Sequence, residues 1–379
     1  MSGGRLSAAL RFLRGADGWP YLLVPFIPAA VVLELAHGSA TLIFFVAAAA
    51  IIPTAALMGR ATEELAAKAG PGIGGLLNVT FGNAPELIIA LFALEAGLQE
   101  VVKASIVGSI LGNVLLVLGA AMVAGGIGRG GEVQRFDKTA ANVQSTMLFL
   151  AVAALMMPAI FELIEGRGLP GIGPELVTFD STVEKLSLAI AVVLMLTYII
   201  GLAFSLRTHK DIFNPVAETG QDEDLWGWST RKSVGALAIA GVAVGLMSEI
   251  LVGSITDASE TVGLSEFFVG VIVIAIVGNA AEHWVAVLVA YKQKMNLAVN
   301  IAIGSSAQVA LFVAPALVFA SFVIGPEPMP LVFNGFELGA ILIATLVASQ
   351  VTQEGESTWF EGVQLLALYV ILALAFFAA

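Results

Sequence analysis

No cysteine occurs anywhere in the 379 residues, and only three histidines do: His37, His209 and His283. Disulfides, thiolate chemistry and Cys-ligated metals are thereby excluded, and three scattered histidines do not suggest a poly-His metal site. Charge is equally scarce. Only 12% of the residues are Asp, Glu, Lys or Arg, against roughly 25% in ordinary soluble domains. The balance is negative, 29 acids against 17 bases, which argues against nucleic acid as a partner. No Ser/His/Asp set and no His-Glu-x-x-His motif is present, so neither an enzyme nor a bound cofactor is expected.

What fills the chain instead is apolar, 58% of it. A soluble fold of this length would expose large apolar patches, so the lipid bilayer is the solvent this composition suits. A membrane-crossing helix needs about 20 mostly apolar residues. Such runs fall at roughly 20–38, 41–60, 76–96, 99–125, 141–162, 182–206, 233–252, 263–290, 296–322, 333–350 and 358–378. The expected fold is an all-α integral membrane protein of about eleven spans, or ten if the first two merge across His37-Gly38-Ser39.

Lys and Arg positions set the orientation, because cytoplasmic loops retain positive charge. With the N-terminus in the cytoplasm, 14 of the 17 bases fall inside, and only Lys103, Arg167 and Lys185 fall outside. The basic start (Arg5, Arg11, Arg14) runs directly into an apolar span with no small-residue cleavage pattern, so no cleavable signal is expected. The lack of a targeting extension points to a prokaryotic plasma membrane.

The chain repeats itself. Gly82-Asn83-Ala84-Pro85-Glu86 matches Gly278-Asn279-Ala280-Ala281-Glu282 at an offset of 278 − 82 = 196, and the same offset carries Gly108-Ser109 onto Gly304-Ser305. The expected organisation is an N-terminal segment and extra span (1–40), a five-helix repeat (41–206), an acidic cytoplasmic linker (207–232) and a second five-helix repeat (233–379). An odd number of spans per copy inverts the second copy in the membrane. In transporters of that plan the substrate site lies at the repeat interface near the midplane.

At that interface stand Glu86 and Glu282. An ionised carboxylate at bilayer depth costs several kcal/mol unless it is paired, protonated or holding a cation, and neither span offers a Lys or Arg to neutralise it. Asn83 and Asn279 stand three residues before each acid, on the same helix face. Gly82, Pro85 and Gly278 should weaken their helices and free backbone carbonyls. Ser109, Ser305, Ser306 and Gln308 add neutral oxygens. Two acids among hard oxygens suit Ca²⁺, which takes 6–8 oxygen ligands. His283 reads either as a proton relay or gate, or as a packed histidine. Glu63, Glu64 and Glu249 read as vestibule acids or as interfacial residues. The linker acids Asp211, Glu218 and Asp222-Glu223-Asp224 read as a solvated connection or as a cation-sensing element.

These motifs, Asn78 through Ala90 together with Gly278-Asn279-Ala280-Ala281-Glu282-His283 and Gly304-Ser305-Ser306-Ala307-Gln308, resemble those of the cation/proton exchangers of the Ca²⁺/cation antiporter superfamily. Pro85 stands where many relatives have Thr. The resemblance implies that Glu86 and Glu282 bind Ca²⁺ and protons in turn, surrounded by Asn83, Asn279, Ser109, Ser305 and Gln308. It implies exchange of Ca²⁺ for H⁺ by alternating access, with Ca²⁺, H⁺ and the bilayer as partners. A Na⁺(K⁺)/H⁺ or Na⁺/Ca²⁺ antiporter on the same scaffold is the nearest alternative, and a passive cation channel a more distant one.

Overall fold

A computed structural model describes residues 18–128, 130–171, 181–208 and 226–379, the side chains at 70–73, 75, 79 and 128 excepted. The linker acids from Asp211 to Asp224, and His209, lie outside the described residues.

Helices dominate. A 3₁₀ turn (Trp19–Leu23) leads into α1 (Phe26–Leu35). Then follow α2 (Ala40–Gly82), α3 (Ala84–Glu95), α4 (Gln99–Ile127), α5 (Lys138–Ile164) and α6 (Ser181–Thr208). The second half holds α7 (Thr230–Gly253), a short α8 (Ile255–Val262), α9 (Glu266–Tyr291), α10 (Met295–Ser321), α11 (Gly335–Thr352) and α12 (Trp359–Ala378). Their starts are written in the sequence. Ser39, Asp137, Ser229, Ser265, Asn334 and Thr358 each cap a helix by accepting a hydrogen bond from a backbone N–H of its first turn, as short polar residues do at that position. The only strands among the described residues, Gln134–Arg135 and Glu356–Ser357, pair antiparallel and clasp the approaches to α5 and α12.

Each expected span has a helix in its place, but the count differs. Among the described residues nine helices are long and apolar enough to cross a bilayer, and a tenth forms if Leu76–Gly82 and α3, which meet at 42°, count as one broken span. Where the first span is expected, at 20–38, the apolar helix Trp19–Leu35 falls short of the required length. The loop expected between the second and third spans is helical, because strong helix formers (Ala61, Glu63, Glu64, Leu65, Ala66, Ala67, Lys68) carry α2 onward. The span itself is its first 30 residues, Ala40–Ala69, and the chain then turns back sharply: a methyl group at Gly74 would stand 2.3 Å from the carbonyl oxygen of Ala66.

The centre of the fold is set by burial. Of the span windows in α4 and α10, 83% and 72% of residues are buried, against 17% and 22% in α6 and α12. So α4 and α10 form the core pair, and α6 and α12 stand outside with apolar residues such as Ile199, Ile200, Ile371 and Leu374 exposed. Both core helices widen into a π-helical turn, at Gly112–Val117 in α4 and Val309–Val313 in α10. These turns coincide under the repeat offset (309 − 113 = 196). Such π turns gather at functional sites. Against this pair pack α9, α5 and α12, while α2 and α7 lie together along the flank.

One base counted on the outer side, at the start of the span expected at 99–125, is buried in protein. Lys103, on the second turn of α4, is 1% exposed. Its ammonium lies 2.5 Å from Glu100 Oε1 and donates to the Val332 carbonyl at 2.9 Å. Fully buried Glu337, on the first turn of α11, interacts with it electrostatically.

Candidate cation-binding site

The first signature sits on a helix break. Pro85 has no N–H to give to the carbonyl of Phe81, four residues back, and its ring suits the first turn of a helix, so α2 ends at Gly82, Asn83 takes a non-helical conformation (φ −97°, ψ 15°), and α3 starts at Ala84. Glu86 thereby occupies the first turn of a helix, where the backbone dipole favours negative charge. The second signature behaves otherwise. Position 281 is alanine, which keeps its N–H, and α9 runs through Gly278 without interruption; its irregularity is a π turn one step earlier, at Val269–Ile274. The expected break at Gly278 is therefore absent. Gly278 serves close approach instead: a methyl group there would stand 3.3 Å from Glu86 Cγ.

The two halves are tied crosswise. Asn83 Nδ2 donates to Gln308 Oε1 at 2.7 Å, and Asn279 Nδ2 donates to Ser109 Oγ at 3.2 Å and to the Ala275 carbonyl at 3.0 Å. Each asparagine of one half thus reaches the core helix of the other. Ser305 Oγ donates to Glu282 Oε1 at 2.6 Å. Glu86 and Glu282 are near enough for their charges to interact.

With the amide N–H groups engaged, oxygens are left over. Asn83 Oδ1, Glu86 Oε2, Asn279 Oδ1 and Glu282 Oε2 are all buried and accept no hydrogen bond. Buried acceptors are ordinarily satisfied. Four together, two from each half and at matched positions, form a set of oxygens with capacity for a cation or for protons. Among the described residues no three His, Asp or Glu side chains converge, so the acid count here is two.

Each of the expected residues Glu86, Glu282, Asn83, Asn279, Ser109, Ser305 and Gln308 takes part in one of these interactions. Ser306 does not: its hydroxyl donates to the Ala302 carbonyl at 2.9 Å in its own helix. His283 stands at the edge, where Nε2 lies 3.1 Å from Asn113 Oδ1. Asn113 lies outside every motif that marks the site in the sequence. Its place one helical turn after Ser109 nevertheless puts it on the same face, and Gly112 beside it leaves room for the His283 ring.

Of the flanking acids, Glu249 is exposed, and Glu63 is half-exposed and pairs with Arg60 at 3.1 Å. Glu64 has a structural task. It is buried and accepts the backbone N–H groups of Trp226 and of Trp228, the latter at 2.9 Å, while the Arg60 guanidinium lies 4.7 Å from the Trp226 ring centre. That contact fastens the end of the linker to α2.

The halves also differ in enclosure. Leu76, Asn78, Thr80 and Gly82 are exposed or half-exposed, whereas their counterparts Ile272, Ile274, Ile276 and Gly278 are half-buried or buried. The second stretch packs so closely on α4 that a methyl group at Gly108 would stand 2.0 Å from the Val271 carbonyl oxygen.

Known proteins resemble this chain over nearly its whole length. Residues 39–207 and 232–378 match the sodium/calcium exchanger protein family. A Ca²⁺/H⁺ antiporter of Aphanothece halophytica is 43% identical over 372 residues, covering 94% of this chain and 95% of that protein. The Ca²⁺/H⁺ antiporter ChaA of Bacillus subtilis is 42% identical over 359 residues, covering 94% and 97%. The solved structure of native YfkE superposes with a TM-score of 0.79 at 38% identity, over 95% of this chain and 100% of that one. The resemblance to cation/proton exchangers is borne out, and the chain belongs to the sodium/calcium exchanger protein family.

Proposed function

We propose that this protein exchanges Ca²⁺ for H⁺ across a membrane, with both competing for Glu86 and Glu282. The observation that carries the reading is the set of four buried acceptor oxygens without a hydrogen-bond partner. Leaving one such neutral group unmet costs about 1–3 kcal/mol, and a charged one more. A divalent cation satisfies all four at once. Alternatively, a proton on each carboxyl removes the charge that makes burial costly. One occupant excludes the other, and that exclusion is sufficient for coupling.

Asn83, Asn279, Ser109, Ser305 and Gln308 hold the acids and complete the oxygen shell. Amide, hydroxyl and carboxylate oxygens in flexible number suit Ca²⁺. The site has no thiolate, and its histidine stands at the rim, which disfavours Zn²⁺. His283 passes protons between the site and one vestibule, through the side held by Asn113. No group in this scheme makes or breaks a covalent bond to a substrate, so the protein acts as a transporter rather than an enzyme.

In this reading residues 41–206 and 233–379 are inverted copies that alternate in closing the site. The distribution of Lys and Arg supports an orientation with the N-terminus and the linker in the cytoplasm. The exposed stretch from Leu76 to Gly82 then lines the cytoplasmic mouth of the pathway, and the packed stretch from Ile272 to Gly278 closes the external one. Protons arriving from outside displace Ca²⁺ outward.

The test is ⁴⁵Ca²⁺ flux in proteoliposomes. An imposed pH gradient should drive Ca²⁺ toward the acidic side, and a Na⁺ gradient at equal pH should drive none. Flux driven by Na⁺ alone would assign the protein to the sodium-coupled alternative.

A further inference from the structure

Outside the motifs, one further buried oxygen accepts no hydrogen bond near this site: Gln144 Oε1, on α5. Its side-chain amide lies against Gly304 of α10, where a methyl group would stand 3.4 Å from Nε2 and 3.9 Å from Oε1. Gly304 and Gln308 are four residues apart on one helix, so they share a face. Gln308 spends its own oxygen on Asn83, and Ser305, beside Gly304, spends its hydroxyl on Glu282. The Gln144 amide therefore meets α10 on its site-bearing face, and its oxygen is the uncommitted one there.

The position is also where the two halves part company. Under the offset of 196, Gln144 corresponds to Ala340, a buried alanine of α11 with no polar atom to offer. Gly304 corresponds to Gly108, whose open side is filled by the backbone of the π turn in α9. Glutamine thus stands on one side of the core pair where the other side has packed backbone. Helix α5 itself is held to α11 by the contact between Ser145 and Thr352 hydroxyls at 3.2 Å, which fixes the height at which Gln144 meets α10.

Building on the exchange reading, we infer that Gln144 is a specificity-determining residue, supplying an additional neutral oxygen to the cation on the side of Gly304. It makes the oxygen shell asymmetric, with one amide more beside the half that carries Ser305 and Glu282. A large cation with flexible coordination such as Ca²⁺ gains from one more neutral oxygen. Mg²⁺, which demands six ligands at short fixed distances, gains nothing.

The test is Gln144→Ala, a change whose product already exists at the matched position of the second half, with Gln144→Glu as the variant that keeps an oxygen. In proteoliposomes under a fixed pH gradient, Gln144→Ala should raise the KM for Ca²⁺ about three- to tenfold, the range for losing one neutral polar interaction, with the maximal rate nearly unchanged. Its Ca²⁺ over Mg²⁺ preference in competition should narrow, and Gln144→Glu should restore the preference. Equilibrium ⁴⁵Ca²⁺ binding to purified protein should weaken by the same factor. An unaltered KM and ion ranking in Gln144→Ala would overturn the inference, as would a fall in maximal rate alone with binding unchanged. Glu282→Gln, measured alongside, separates the two readings: if it still exchanges like the parent, the exchange mechanism itself has failed, whatever Gln144 does.

Discussion

Asn83 and Gln308 are 225 positions apart in the chain, yet the Asn83 side-chain amide donates to the Gln308 side-chain oxygen at 2.7 Å. The bond fixes which end of the Asn83 amide turns inward, and so leaves Asn83 Oδ1 free as an acceptor. It joins the helix break of one repeat to the core helix of the other.

Cutting that tie should weaken cation binding without abolishing the fold. Asn83→Ala and Gln308→Ala should each raise the KM for Ca²⁺ about three- to tenfold, the loss of one buried polar contact. Because they share one bond, the double variant should fall well short of the product of the two effects. Ca²⁺-dependent flux in proteoliposomes measures all three; strictly multiplicative effects would show that the two residues act independently.

The difference in enclosure between the two signature helices is open to chemical probing, and the absence of native cysteine makes single introduced thiols unambiguous. Asn78 is exposed and its counterpart Ile274 is 4% exposed. Asn78→Cys should react with a membrane-impermeant thiol reagent at least about tenfold faster than Ile274→Cys, and from the cytoplasmic side only. Equal rates would mean that the pathway is closed to the same degree on both sides.

A different kind of outcome is expected at Lys103. Its ammonium offsets Glu100 and the fully buried Glu337 and donates to the Val332 carbonyl. Lys103→Met removes one partner of a buried charge cluster, a change that typically destabilises by about 3–5 kcal/mol. Glu100 keeps about a fifth of its surface accessible, so the lower end of that range is expected. The measurement is the apparent melting temperature of detergent-solubilised protein, which should drop clearly, and Lys103→Met combined with Glu337→Gln should recover part of the loss. An unchanged melting temperature in the single variant would mean that the cluster is not stabilising.

Much of this is legible in the sequence because lipid leaves few options. Apolar runs have to be helices, and two glutamates without basic neighbours have to face something other than lipid. The matched Gly-Asn-x-x-Glu segments locate the site because both copies meet in one place. What is not legible depends on contacts between distant segments. Asn113 and Gln144 belong to no repeated motif, and only the packing of α4 against α9 and of α5 against α10 brings them to the site. Lys103 reads only as a base on the outer side, because Val332 and Glu337, which complete its buried surroundings, lie more than 200 residues away. The continuous helix at Gly278 escapes sequence reasoning for a local reason: glycine weakens a helix by about 1 kcal/mol, which tertiary packing overrides, whereas proline removes a bond outright, and only the first copy has one.

Competition between Ca²⁺ and protons for two acids is measured most directly as proton release. When Ca²⁺ is added to purified protein in weakly buffered solution with a pH indicator, the parent should release protons in step with Ca²⁺ bound. Release should be greatest at the lower pH values, where more of the protein starts out protonated. Glu86→Gln combined with Glu282→Gln should bind little Ca²⁺ and release none. Tight Ca²⁺ binding with no proton release at any pH, or release by the double variant equal to that of the parent, would contradict the mechanism.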